Sequence, residues 1–143
     1  MSKGQAVAGW GPSWIALAIA LGLHVWDEAA HDFLSFYNPM VAGIRERVPF
    51  LPVPTFSYRM WLTGLIVGVG ILLLTSVFAF RGARWLRPLA YALAVLMIAN
   101  GLLHAAGSIY YGRLMPGLYS SPVLIASSIW LLVQLRQTRL SGT

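Results

Sequence analysis

Six residues of this chain carry side chains suited to shared chemistry. His24, Asp27, Glu28 and His31 fall within eight positions of one another, and Asn100 and His104 are four apart. On a helix, His24, Glu28 and His31 stand at i, i+4 and i+7 and share a face, with Asp27 on the adjoining edge. Asn100 and His104 share a face in the same way, and Ser108 and Tyr111 continue it. Imidazoles converging with a carboxylate suit a divalent metal, and nitrogen and oxygen donors select zinc or iron over magnesium. The expected ligand set is His24, Glu28, His31 and His104. The pair Glu28-x-x-His31 has the spacing of di-iron sites in bundle cores, but it occurs once, which favours one metal over two. Without a metal the same groups form an acid–base set, with His24, Glu28 and His104 reacting and Asp27 and Asn100 orienting them. The chain has no cysteine, so thiolate ligands, disulfides and a cysteine nucleophile are excluded.

Those residues sit in unusual surroundings. Hydrophobic residues make up 58% of the 143 and charged residues 10%, against about 25% charged in a soluble domain. Four apolar stretches stand out, at about 14–30, 60–80, 86–106 and 118–135. Each approaches the roughly 17–25 residues a helix needs to cross about 30 Å of hydrocarbon. Helices are required because no water there can pair with an exposed backbone. The expected fold is all-α: a four-transmembrane-helix bundle, one domain over 1–143, with no internal repeat. Pro12, Pro88 and Pro122 lie near the starts of three of these helices, where a missing N–H costs little. The first stretch ends in acids and histidines rather than a small-residue cleavage site, so it reads as a helix of the mature protein.

Ionisable groups inside such helices cost about 2.5–3.5 kcal/mol each at the centre by insertion scales, so they mark function by default. Both sets belong at one depth. Glu28 lies ~21 Å along its helix from Trp14, and His104 ~27 Å along its own from Leu86, at ~1.5 Å per residue. Asn100 also serves as interhelical glue in a plainer reading, and Asp27, Asp32 and His31 as a helix-end pair meeting interfacial water. Trp10, Trp14, Trp26, Tyr110, Tyr111 and Tyr119 read as interfacial anchors. Gly64 and Gly68, with Gly70 nearby, read as a close-packing face between helices, and a homo-oligomer is left open.

The connections differ in length. About five residues, Arg81 to Trp85, join the second and third stretches, which makes them antiparallel neighbours. The interfacial loop 31–59 is long enough to carry structure of its own. Asn38-Pro39 followed by Val41, Ile44 and Val48 predicts a short interfacial helix from Asn38 to Val48, with Asn38 as its N-cap. Pro49, Pro52 and Pro54 then impose an extended return. The net charge is +6, but the cations sit at the ends of apolar runs, where they set topology and meet lipid headgroups. Nucleic acid is therefore not an expected partner. Lys3, Arg81, Arg84, Arg87, Arg136 and Arg139 fall on one side, and Arg45, Arg47, Arg59 and Arg113 on the other. Both termini are thus expected to be cytoplasmic, in a bacterial inner membrane.

The pattern resembles the HXXEE-domain membrane proteins, in which a histidine and two following acids close the first helix. Here the motif stands as His24-Val25-Trp26-Asp27-Glu28, with Asp in the place of the first Glu. The likeness extends to Asn100-Gly-Leu-Leu-His104 and to Tyr111-Gly-Arg-Leu-Met-Pro116-Gly117, in order along most of the chain. It implies a four-helix membrane fold and no set reaction. A fainter similarity is to emopamil-binding sterol isomerases, which move protons on a buried apolar substrate with histidine and glutamate. No motif carries residues across, so that likeness is one of chemistry. The function expected is a membrane-embedded enzyme acting on a lipid-like or isoprenoid-like hydrophobic small molecule, as an isomerase, cyclase or hydrolase. The rival is a non-catalytic small subunit or ligand-binding protein of a membrane complex. A lined cavity beside the His/Glu layer favours the first, and solid packing the second.

Overall fold

The computed structural model describes residues 9–140. Lys3, one of the cations counted for orientation, lies outside them. The described residues form five α-helices and no strand: α1 Gly11–Ala30, α2 Phe33–Arg47, α3 Tyr58–Phe80, α4 Arg87–Tyr111 and α5 Ser121–Leu140. A 3-10 turn, Arg84–Leu86, feeds α4. Pro12 and Pro88 occupy the first turns of α1 and α4, where the helix has no use for their missing N–H. Ser57 caps α3 by accepting from the Met60 N–H at 3.4 Å. Gly112, at φ 61, ends α4 in the left-handed conformation that a side chain resists.

The helix in the long loop differs from the sequence expectation. It starts at Phe33 rather than Asn38, directly after α1. Asp32 makes the break by adopting φ 52, a region that Asp tolerates better than most residues. Asn38 is not a cap. Its side-chain amide accepts from the Phe56 N–H at 3.0 Å and donates to the Phe56 carbonyl at 2.9 Å. The Tyr37 hydroxyl donates to the Pro54 carbonyl at 3.1 Å. The proline-rich return is thereby tied along α2, and Pro39 lies inside the helix.

Three helix pairs pack closely: α1 with α3, α1 with α5, and α4 with α5. The pair α3 and α4, joined by the shortest connection, is not among them. The start of α1 explains why. Trp10 and Trp14 are fully buried in a core shared with Ala79 of α3, Leu86 and Ala90 beside and on α4, and Leu131 and Leu135 of α5. The Trp14 indole N–H donates to the Leu72 carbonyl at 2.8 Å. These two tryptophans are therefore core residues, not interfacial anchors. Trp26, Tyr110 and Tyr119 are exposed, as anchors are. At Gly11 an added Cβ would meet the Phe80 ring at 2.5 Å, so only glycine lets the start of α1 approach the end of α3. Gly64, Gly68 and Gly70 face open space instead, and among the described residues they bring no two helices together.

Among the described residues two helical runs are long and apolar enough to cross a membrane, Tyr58–Phe80 and Arg84–Tyr111. Both α1 and α5 carry more polar residues. The acids and histidine of α1 gather in its last two turns, and α5 holds Ser121, Ser127 and Ser128 against its neighbours.

Candidate functional site

Two helices and one turn build the site. The last two turns of α1 supply His24, Asp27 and Glu28, all buried. Opposite them α4 presents Asn100 and His104. The segment before α5 closes one side with Gly117 and Ser120. His24, Glu28 and His104 are each no more than 6% exposed. Glu28 Oε1 lies 3.1 Å from His104 Nε2 and 3.6 Å from His24 Nε2. One ligand atom from each of the three lies within 4.8 Å of the others, so the group could hold a metal ion. Ligands ~2.0–2.2 Å from a tetrahedral zinc stand ~3.3–3.5 Å apart, close to the two shorter separations.

The outer contacts fix how the rings are aimed. Ser120 donates its backbone N–H to Asp27 Oδ2 at 2.9 Å and its hydroxyl to the same oxygen at 2.8 Å. His24 Nδ1 stands 2.8 Å from the Ser120 hydroxyl. On the other edge of the ring, Asn100 Nδ2 is 2.9 Å from His24 Nε2. The two imidazoles meet edge to face with centroids 4.9 Å apart. Gly117, at φ 87, presses on both. A Cβ there would come within 2.7 Å of His104 Cε1 and 3.0 Å of His24 Cε1. Left-handed backbone and lack of space both require glycine at this position.

The other expected site residues are dispersed around this group. Asp27 touches it through Ser120. His31 stands apart from the ligand group. Its side chain is half exposed, and its Nδ1 lies 2.8 Å from Asp27 Oδ1 and 2.8 Å from the Asp27 carbonyl oxygen. Tyr119 packs on the His31 ring. The i+7 position carries His31 beyond the end of α1 into the turn, so the shared face is lost there.

Beside His104 and Asn100 lies a cavity of about 410 Å³ between α2 and α4. Phe33, Phe36, Tyr37, Tyr110 and Tyr111 supply aromatic walls, and Asn100 and His104 are polar groups in the lining. Phe33 stacks on Trp61 of α3 and tilts against His104 at 5.7 Å, so α2 reaches the centre. The sequence reading missed Ser120, Gly117 and Phe33. Gly117 carried a usable signal, because a glycine after a proline before a helix marks a special turn. Ser120 carried none, since its role comes from a contact 93 residues away.

No similar curated protein and no similar solved structure was found. Residues 14–131 match the sequence model of a family described as proteins of unknown function with an HXXEE motif. That span contains every residue of the centre, and His24-Val25-Trp26-Asp27-Glu28 is this chain's form of the motif, so the chain belongs to the HXXEE family.

Proposed function

We propose that the chain is a membrane-embedded enzyme that acts on a lipid-like or isoprenoid-like small molecule at the His24–Glu28–His104 centre. The observation that carries the reading is a buried His/Glu/His group whose His104, with neighbouring Asn100, lines an aromatic-walled cavity. Apolar pockets with a few converging polar groups are where small molecules bind. In this reading all four long helices span the bilayer. The 20 residues of α1 and of α5 each reach about 30 Å at ~1.5 Å per residue. His24, Asp27 and Glu28 of α1 and Ser121, Ser127 and Ser128 of α5 are buried, and the exposed Arg136, Gln137 and Arg139 fall in the last two turns of α5, at headgroup level in this reading. The cluster Arg81, Arg84 and Arg87 puts the α3–α4 turn and both termini in the cytoplasm, and the centre near the outer leaflet.

His24 Nε2, His104 Nε2 and a Glu28 oxygen would hold a divalent metal, zinc or iron, and such an ion would supply polarisation of a substrate oxygen or a lowered pKa of bound water. A second chemistry is favoured by one observation. With His104 Nε2–H donating to Glu28 at 3.1 Å the centre holds one proton donor, and His24 Nε2, which accepts from the Asn100 amide at 2.9 Å, is the proton acceptor once a substrate displaces that amide. That pairing suits moving a proton from one carbon to another on an apolar framework. Asn100 orients the base through its contact with His24 Nε2, and would turn from that atom where a metal takes the lone pair.

The test is conversion. Wild-type protein in nanodiscs is incubated with membrane-lipid extracts, and products are read by mass spectrometry. The reading expects one component to be consumed by wild type and left intact by Glu28→Gln, with both proteins unfolding at similar temperature. Tight binding of a component with no conversion by either protein would instead indicate a carrier.

A further inference from the structure

We infer that Ser120 is a positioning residue which, with Asp27, holds His24 as its Nδ1–H tautomer and so aims the Nε2 lone pair into the centre. The inference rests on the centre being functional, and it adds the device that sets its donor atoms.

The assignment follows from counting donors. Asp27 Oδ2 receives two bonds from Ser120, one from the backbone N–H and one from the hydroxyl. A carboxylate offers only acceptors, so the single hydroxyl proton of Ser120 is committed to it. The alternative acceptor for that proton, the Gly117 carbonyl, is farther away at 3.2 Å. The Ser120 oxygen has only lone pairs left for His24 Nδ1, 2.8 Å away. His24 Nδ1 must therefore be the donor. In the neutral ring Nε2 is then the acceptor, and the Asn100 amide N–H at 2.9 Å meets it with the matching polarity. The 3.6 Å gap between His24 Nε2 and Glu28 fits as well, because two acceptors do not bond. Glu28 instead accepts from the His104 Nε2–H, 3.1 Å away.

The chemistry needs this tautomer. A ring protonated on Nε2 can neither ligate a metal through that atom nor accept a proton there. A carboxylate acting on the outer nitrogen of a ligating histidine is a common way to fix its ring. Here the carboxylate acts through a serine. Asp27 reaches outward as well, to the half-exposed His31. Neither Asp27 nor Ser120 lines the cavity, so the positioning pair acts on His24 from outside it.

The measurement is nitrogen-15 NMR of histidine-labelled, chelator-treated full-length protein, at pH ~8.5, above the ordinary histidine range. His24→Gln supplies the assignment. The inference expects wild-type His24 to show one tautomer, protonated on Nδ1. Ser120→Ala should lose that single form, and Ser120→Thr, which keeps the hydroxyl, should restore it. Should Ser120→Ala not fold, Asp27→Asn carries the same expected loss. A wild-type ring protonated on Nε2, alone or with Nδ1, overturns the inference. So does a variant lacking the hydroxyl or the carboxylate that keeps Nδ1–H as its only form. Zinc titration separates the two ideas. Ser120→Ala should weaken zinc by about 10–100-fold, the usual effect of removing such a partner. Failure of wild type to bind zinc counts against the metal reading, while the spectra still decide the tautomer.

Discussion

His24 and Glu28 could be paired from the sequence because helix geometry alone sets positions four apart on one face. His104 could be added from depth, since two helices running the same way bring similar distances to one layer. The reach of that reasoning ended at His31. Face arithmetic assumes a continuing helix, and α1 ends at Ala30, so His31 turns to Asp27 and Tyr119. His31→Gln should therefore leave zinc affinity within about threefold of wild type, as expected for a site that does not share ligands. Isothermal titration against wild type checks it, and a hundredfold loss would restore His31 to the centre. Gly117 makes the opposite case. Gly117→Ala should destabilise the protein by about 1–3 kcal/mol, because it combines a strained backbone with displaced imidazoles. Thermal unfolding reads the loss, and zinc binding should weaken alongside it.

At the scale of elements, lengths and starts of the apolar helices were legible because they depend on local chemistry: an apolar run, a proline in the first turn, a glycine at the end. The start of α2 was not, because the same Asn-Pro pair that suits an N-cap also fits inside this helix. What decides between them is tertiary. The Asn38 amide is occupied by Phe56, 18 residues on, and Asp32 supplies the break. Asn38→Ala would leave the Phe56 N–H and carbonyl without that partner. Losing such a pair costs about 1–3 kcal/mol for each group left unsatisfied, less where water replaces it. Hydrogen exchange of residues 33–56 should speed up by roughly tenfold or more, the kinetic equivalent of ~1.4 kcal/mol. Unchanged exchange would mean that the return segment does not hold α2 in place. Because Phe33 touches both Trp61 and His104, loosening α2 should also open the aromatic wall.

For the whole molecule, composition gave the all-α class, and the order of helices in space was what it could not give. A five-residue connection made α3 and α4 look like partners. The two tryptophans at the start of α1 occupy the common core instead, leaving α3 packed on α1 and α4 on α5. This order sends the Gly64 and Gly68 face outward, where a local motif suggested an internal contact. Orientation can be tested without background labelling, because the chain has no cysteine. Ala83→Cys and Glu46→Cys are suitable probes, since Gly82 and Gly112 hold left-handed backbone. The four-span reading expects an impermeant maleimide added from outside to label Glu46→Cys and not Ala83→Cys. The reverse pattern would invert the topology and put the centre near the inner leaflet. Metal content reads whether His24, Glu28 and His104 act as one metal-holding centre. Full-length protein, chelated and then reloaded with zinc or ferrous iron, is passed over a desalting column and measured by plasma mass spectrometry. Wild type should retain about one equivalent, as for a single three-ligand site, and His24→Ala, Glu28→Gln or His104→Ala almost none, each still folded. Wild type that retains no metal, or three variants that retain as much as wild type, would contradict it.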